Sequence, residues 1–86
     1  MEIKKTIQNP EGLHARPAGH FAKTASSFKS KIEVCFNQKT VNAKSSMSLM
    51  TLGIVHNSEI SIKADGPDAE EALNKISTLI DNHFTV

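Results

Sequence analysis

Apolar residues recur along this chain at two spacings, one of every second position and one of every third or fourth, and their alternation predicts the fold class. Met1, Ile3 and Ile7 follow the first spacing. Lys5 interrupts that apolar face, which predicts an edge strand or a lysine whose stem lies along apolar surface. Asn9-Pro10-Glu11-Gly12 reads as a turn, and helical spacing begins after it, with Ala18, Phe21, Ala22, Ala25 and Phe28 available for burial. Ile32, Val34 and Phe36 then alternate with Glu33 and Cys35, and Val41 with Ala43 continues the pattern after Asn37-Gln38. A two-residue hairpin needs positive φ at both turn positions and prefers Asn-Gly, so Gln38 is either mildly strained or part of a longer loop. Ser45 or Ser46 caps a short helix running to about Leu52, with Leu49 and Leu52 inward, Met47 and Met50 on one side, and Gly53 closing it. Ile60, Ile62 and Ala64 form another strand. The last helix carries Ala69, Ala72, Leu73, Ile76, Leu79, Ile80 and Phe84 on one face, with Asp68 as N-cap and Glu71 placed as in a capping box. The predicted order is βαββαβα, an α+β chain.

Composition narrows the class without naming a function. The chain has 86 residues, which predicts a single domain over 1–86 with one economical core. Its formal net charge of +1 lacks the basic excess of a nucleic-acid protein. No apolar run approaches the roughly 20 residues of a membrane span. Glu2, Lys4 and Lys5 come first with no apolar stretch behind them, unlike a signal peptide, and the single Cys35 has no disulfide partner, so a cytoplasmic location is expected. Cys35 falls on the polar side of its strand and is assigned no role. His56 and His83 show no metal-ligand spacing and read as surface residues, so no metal site is expected.

The chemistry concentrates in Gly12-Leu13-His14-Ala15-Arg16-Pro17-Ala18. Gly12 permits a sharp turn, and Pro17 sits in the first turn of a helix that begins near Ala15 or Arg16. His14 therefore lies at the helix boundary, although histidine is a poor N-cap. The first N–H groups of a helix lack internal partners and attract anions. A neutral imidazole nitrogen there can attack a phosphoryl donor while the Ala15 and Arg16 N–H groups and the Arg16 guanidinium stabilise the transferring oxygens. The residues alone also fit a surface histidine beside a proline-started helix. Arg16, His20, Lys23 and Ser27 share one helix stripe, either a solvated face or a docking surface for acidic partners.

That seven-residue segment resembles the active-site signature of the HPr family, the histidine phosphocarriers of the bacterial sugar phosphotransferase system. The segment Asn42-Ala43-Lys44-Ser45-Ser46-Met47-Ser48-Leu49-Met50-Thr51-Leu52-Gly53-Ile54 resembles the regulatory-serine region of Gram-positive members. The two segments have the family's mutual spacing, and the chain has the family's length. The resemblance implies an open-faced β-sandwich, a four-stranded antiparallel sheet covered on one side by helices. It implies that His14 Nδ1 accepts a phosphoryl group from phosphorylated enzyme I and passes it to IIA domains of sugar permeases, with Arg16 stabilising the charge and no bound cofactor. Ser45 corresponds to the regulatory serine, a target of HPr kinase/phosphorylase whose phosphorylation can recruit a catabolite control repressor. Docking is assigned to His20, Lys23, Ser46, Met47 and Met50 on a monomeric carrier that does not insert into membranes.

Three positions depart from the family pattern. Ser46 stands where a bulky apolar docking residue is usual, Ser48 replaces the common Gram-positive glycine, and His20 is unusual. Two rival classes exist. A purely regulatory relative that has lost the histidine is disfavoured by His14, and an RNA-binding or interaction module is disfavoured because Phe36 alone makes no stacking platform.

Overall fold

The computed structural model describes residues 1–84. Its elements are β1 (Glu2–Thr6), α1 (Ala15–Ser26), β2 (Lys31–Phe36), β3 (Lys39–Asn42), α2 (Ser46–Met50), β4 (Glu59–Asp65) and α3 (Ala69–Asp81), in the predicted order. The strands form one sheet ordered β1-β4-β2-β3 with every pairing antiparallel. Register aligns Ile3 with Ile62, Ile62 with Val34, and Val34 with Val41, so an apolar row crosses the whole sheet. The helices cover that face, and the opposite face carries Lys4, Lys31, Lys63 and the half-buried Cys35.

The core is aliphatic. Ile32, Val34, Ile60 and Ile62 from the sheet meet Phe21 of α1, Leu49 of α2, and Ile76 and Ile80 of α3, all buried. Each such side chain contributes about 1.5–3 kcal/mol when fully buried. Phe21 stacks on Phe84 with ring centroids 6.3 Å apart, which holds the middle of α1 against the segment after α3.

β1 is an edge strand, and Lys5 both lies half-buried along it and reaches Asp81 at 2.6 Å. Strand pairing continues slightly past several boundaries. Met1 and Ala64 exchange backbone bonds, Ile7 bonds to Ser58 and Asn57, and Ala43 N–H donates to Ile32, although Met1, Ile7 and Ala43 lie outside the strands predicted to hold them. Phe28 likewise falls just beyond α1 and is only partly buried. The Asn37-Gln38 turn is a two-residue hairpin with φ of 53° and 70°, so the strained alternative at Gln38 holds. α2 ends at Met50, two residues short of the expected Leu52, because Thr51 already donates back to Met47 and Ser48 in a tightened last turn. Gly53 follows with φ 69°, as expected of a helix terminator.

The capping box at α3 does not form. Asp68 occupies the N-cap position but makes no side-chain cap bond. Its carboxylate instead accepts from Lys29 N–H and Ser30 N–H, each at 2.9 Å, and from the Ser30 hydroxyl. Two N–H groups and a hydroxyl on the 29–30 loop outcompete the single local N–H a cap would satisfy, so the residue ties α3 to the end of α1.

Candidate functional site

Two backbone attachments set the position of His14. Gly12 takes φ 65°, and a Cβ there would lie 2.6 Å from the Ile54 carbonyl oxygen, so only glycine lets the turn approach the 54–55 segment. Leu13 N–H then donates to that Ile54 oxygen at 3.0 Å. Behind the turn, the buried Asn9 donates from Nδ2 to Gly12 O at 2.6 Å and to Glu11 Oε1 at 2.8 Å. The loop before α1 is therefore braced from both sides.

His14 is the N-cap of α1, with φ −85° and ψ −167°. Its Nδ1 accepts from Ala15 N–H at 2.9 Å, and its carbonyl accepts the first intrahelical bond from Ala18 at 2.8 Å. A poor capping residue thus caps this helix, because its ring turns back onto the first N–H. A nitrogen that accepts a hydrogen bond presents a lone pair, so the neutral ring carries its proton on Nε2. Pro17 has no N–H, the Arg16 N–H has no intrahelical partner at this depth, and the first turn holds no acidic residue. Together these leave the positive end of the α1 dipole directed at the imidazole.

A depression of about 200 Å³ opens beside the ring, lined by Glu11, Leu13, His14, Met50, Gly53, Ile54 and Val55. Residues distant in sequence thereby meet. Met50 and Val55 are exposed apolar side chains on the depression's lining, and Met47, also exposed, lies one turn earlier on α2 and does not line it. Ser45 caps the adjacent α2, accepting from Ser48 N–H at 3.2 Å, with Ser46 and Met47 in the turn that follows. Arg16 and Lys23 are exposed and His20 is half-buried on α1, but none of these three lines the depression. His56 and His83 are exposed, and no group of three metal-ligating side chains occurs among the described residues. No helix of the described residues is long and apolar enough to cross a membrane.

Two members of the site carried no signal in the hydrophobic pattern. Val55 arrives through the backbone bond between Leu13 and Ile54, a contact across more than forty positions. Glu11 reads as an ordinary turn residue, and only its place three positions before His14 pointed to the site. Its carboxyl is held below the ordinary 4.5, chiefly by the Asn9 amide, then by its own backbone N–H, with the Arg16 guanidinium adding and partial desolvation opposing.

Nearly the whole chain matches one family. Residues 1–82 fit the family described as the PTS HPr component phosphorylation site. The chain belongs to the HPr family. HPr of Mycoplasma genitalium is 45% identical over 86 residues, covering 99% of this chain and 98% of that protein. The crystal structure of HPr-C-His from Thermoanaerobacter tengcongensis matches with a TM-score of 0.95 at 44% identity, over 98% of this chain and 94% of that one. The solution structure of Crh, the Bacillus subtilis catabolite repression HPr, matches with a TM-score of 0.68 at 36% identity, over 93% and 95% of the two chains. HPr proteins are phosphocarriers of the phosphotransferase system and not catalytic enzymes, and the antiparallel open-faced sandwich here is the HPr architecture.

Proposed function

We propose that His14 is the phosphoryl acceptor of this carrier, taking the group on Nδ1 from phospho-enzyme I and giving it to IIA domains. The Nδ1 lone pair at the α1 N-terminus, 2.9 Å from Ala15 N–H, is the observation that carries this reading. When Nδ1 attacks phosphorus, its lone pair forms the new N–P bond as the donor's bond to phosphorus breaks, and the leaving electron pair returns to the donor. Ala15 N–H, no longer bonded to Nδ1, then donates to a phosphoryl oxygen beside Arg16 N–H, and the guanidinium of Arg16 supplies the opposite charge. Transfer to a IIA domain reverses the same step. Met47, Met50 and Val55 form the apolar part of the docking face, with His20, Lys23 and Ser46 at its margins, which suits partners that present apolar surface within an acidic rim.

Ser45 carries the regulatory half. Phosphorylation there adds about −1.5 to −2 charges at the start of α2, where the helix tolerates them, beside the methionines that meet enzyme I. The same charge creates a face for a catabolite control repressor. Incubating the chain with enzyme I and phosphoenolpyruvate, followed by intact-mass measurement, tests the carrier reading: one acid-labile phosphoryl group is expected, and none would overturn it.

A further inference from the structure

His14 borders a depression that has an acidic residue in its lining. Glu11 lines that depression together with His14. It is not left to wander, because Asn9 is buried and holds Glu11 Oε1 at 2.8 Å through Nδ2. The same amide nitrogen also grips Gly12 O at 2.6 Å, so the carboxylate is fastened to the turn that sets His14. A carboxylate and a carbonyl oxygen can only accept, so the Asn9 amide must turn its nitrogen towards Glu11 and Gly12, which leaves Oδ1 buried without a partner among the described residues. This arrangement runs against simple anion binding. A site built only to retain a phosphoryl dianion would place a cation or a neutral donor there, whereas α1 keeps acids out of its own first turn and accepts one three residues before its cap.

We propose that Glu11 tunes the phosphoryl-transfer potential of the carrier: its tethered carboxylate opposes the phosphoryl charge on His14, so that the group is held weakly and passed on readily. The inference rests on His14 as acceptor. In the transfer from one carrier molecule to another through enzyme I, the N–P bond on the first breaks with its electron pair returning to His14 Nδ1, and an N–P bond forms on the second. No proton or other reactant enters the balance. The equilibrium between two variants therefore reports only the difference in how well each tolerates the phosphoryl group. Unphosphorylated His14 is uncharged in its nucleophilic form and feels Glu11 little, so the carboxylate raises the phosphorylated state selectively. Arg16, whose guanidinium also acts on Glu11, is shared between two anions once His14 is phosphorylated.

The test is a competition. Isotopically labelled wild-type chain and unlabelled Glu11→Gln are mixed with catalytic enzyme I and limiting phosphoenolpyruvate, and the two phosphorylated forms, separated in mass by the label, are quantified by intact mass at equilibrium. Glutamine keeps an oxygen to accept from Asn9, so the turn is preserved. The variant is expected to hold about threefold to tenfold more of the phosphoryl group at low ionic strength, with the ratio falling towards one as salt screens the repulsion. Glu11→Asp should return the ratio to within about twofold of wild type, and Glu11→Lys should push it beyond Glu11→Gln, an ordering by charge that a purely structural effect on the loop would not produce. Equal partition of wild type and Glu11→Gln, or a ratio indifferent to salt, overturns the proposal. Absence of phosphorylation on every chain, wild type included, overturns the carrier reading beneath it. Phosphorylation of wild type with equal partition overturns the role of Glu11 alone.

Discussion

The N-termini of α1 and α3 invert the usual rule of helix capping. α3 begins with aspartate, a preferred capping residue, and that side chain leaves the helix to hold Lys29 and Ser30. α1 begins with histidine, a poor cap, and that side chain does bond the first N–H. The charges differ in the same sense. α3 fills its first turn with Glu70 and Glu71, which satisfy its dipole from within, while α1 has no acid there. One helix start is committed to the fold. The other leaves its dipole unanswered by any acid of its own first turn, and the side chain lying there is the proposed acceptor.

Removing His14 breaks the contrast most severely. His14→Ala should abolish phosphorylation by enzyme I and phosphoenolpyruvate, read by intact mass. The lost cap bond should cost about 1 kcal/mol of stability or less, leaving the chain folded by circular dichroism. An acid-labile phosphate persisting on the variant would place the acceptor elsewhere. Arg16 comes next. Charge-assisted hydrogen bonds are worth about 1.5–3 kcal/mol, so Arg16→Glu should slow phosphoryl uptake by about tenfold to a hundredfold or more. Arg16→Lys should lose less, because lysine keeps the charge without the planar fork. Stopped-flow uptake rates that do not distinguish Arg16→Glu from wild type would make the α1 start no more suited to an anion than that of α3.

Ser45 adds a third helix start to the comparison, one capped in the ordinary way by a serine hydroxyl. Ser45→Asp should preserve the cap position and the thermal midpoint within a few degrees, as acid is tolerated at a helix start. Uptake from enzyme I should nevertheless fall about tenfold at low salt, a change of about 1.4 kcal/mol in docking. The deficit should shrink as ionic strength rises. Uptake rates unchanged across the salt series would leave Ser45 as a cap without a regulatory function.

The residues that do local work were readable in advance. Two apolar periodicities placed all seven elements, Gly53 marked the left-handed turn that follows α2, and Gly12 and Pro17 located the turn and helix start around His14. Non-local work was invisible for a physical reason: periodicity reports which side of an element is apolar and says nothing about which polar group across the fold will bid for a side chain. Asp68 was misread as a cap because Lys29 and Ser30 are nearly forty positions away in sequence. The tether from Asn9 to Glu11 escaped for the opposite reason, since turn residues are expected to be polar and exposed, and Asn9 is buried. The strand order β1-β4-β2-β3 depends on which edges meet, and alternation within a strand carries no such information.

The smallest expected effect tests the structural member of the pair. Hydrogen bonds from the Ser30 hydroxyl first, then from the Lys29 and Ser30 N–H groups, hold the Asp68 carboxyl at about 2, below its ordinary 3.8, against some desolvation. The folded pKa is depressed, so ionised Asp68 favours the folded state above the unfolded value of about 3.9, and that contribution is lost as pH falls through the folded value. Asp68→Asn cannot ionise and its single oxygen cannot serve all three donors, so it should melt below wild type at neutral pH. The gap between the two melting curves should then close between roughly pH 4 and pH 2, because only wild type loses an ionised group over that window. Glu11, also held below its ordinary value, is common to both chains and cancels in the difference. Thermal midpoints of the two proteins from pH 7 to pH 2 decide the matter. A gap that stays constant throughout would mean that the loop accepts a neutral amide as well as a carboxylate, and that charge plays no part in tying α3 to the end of α1.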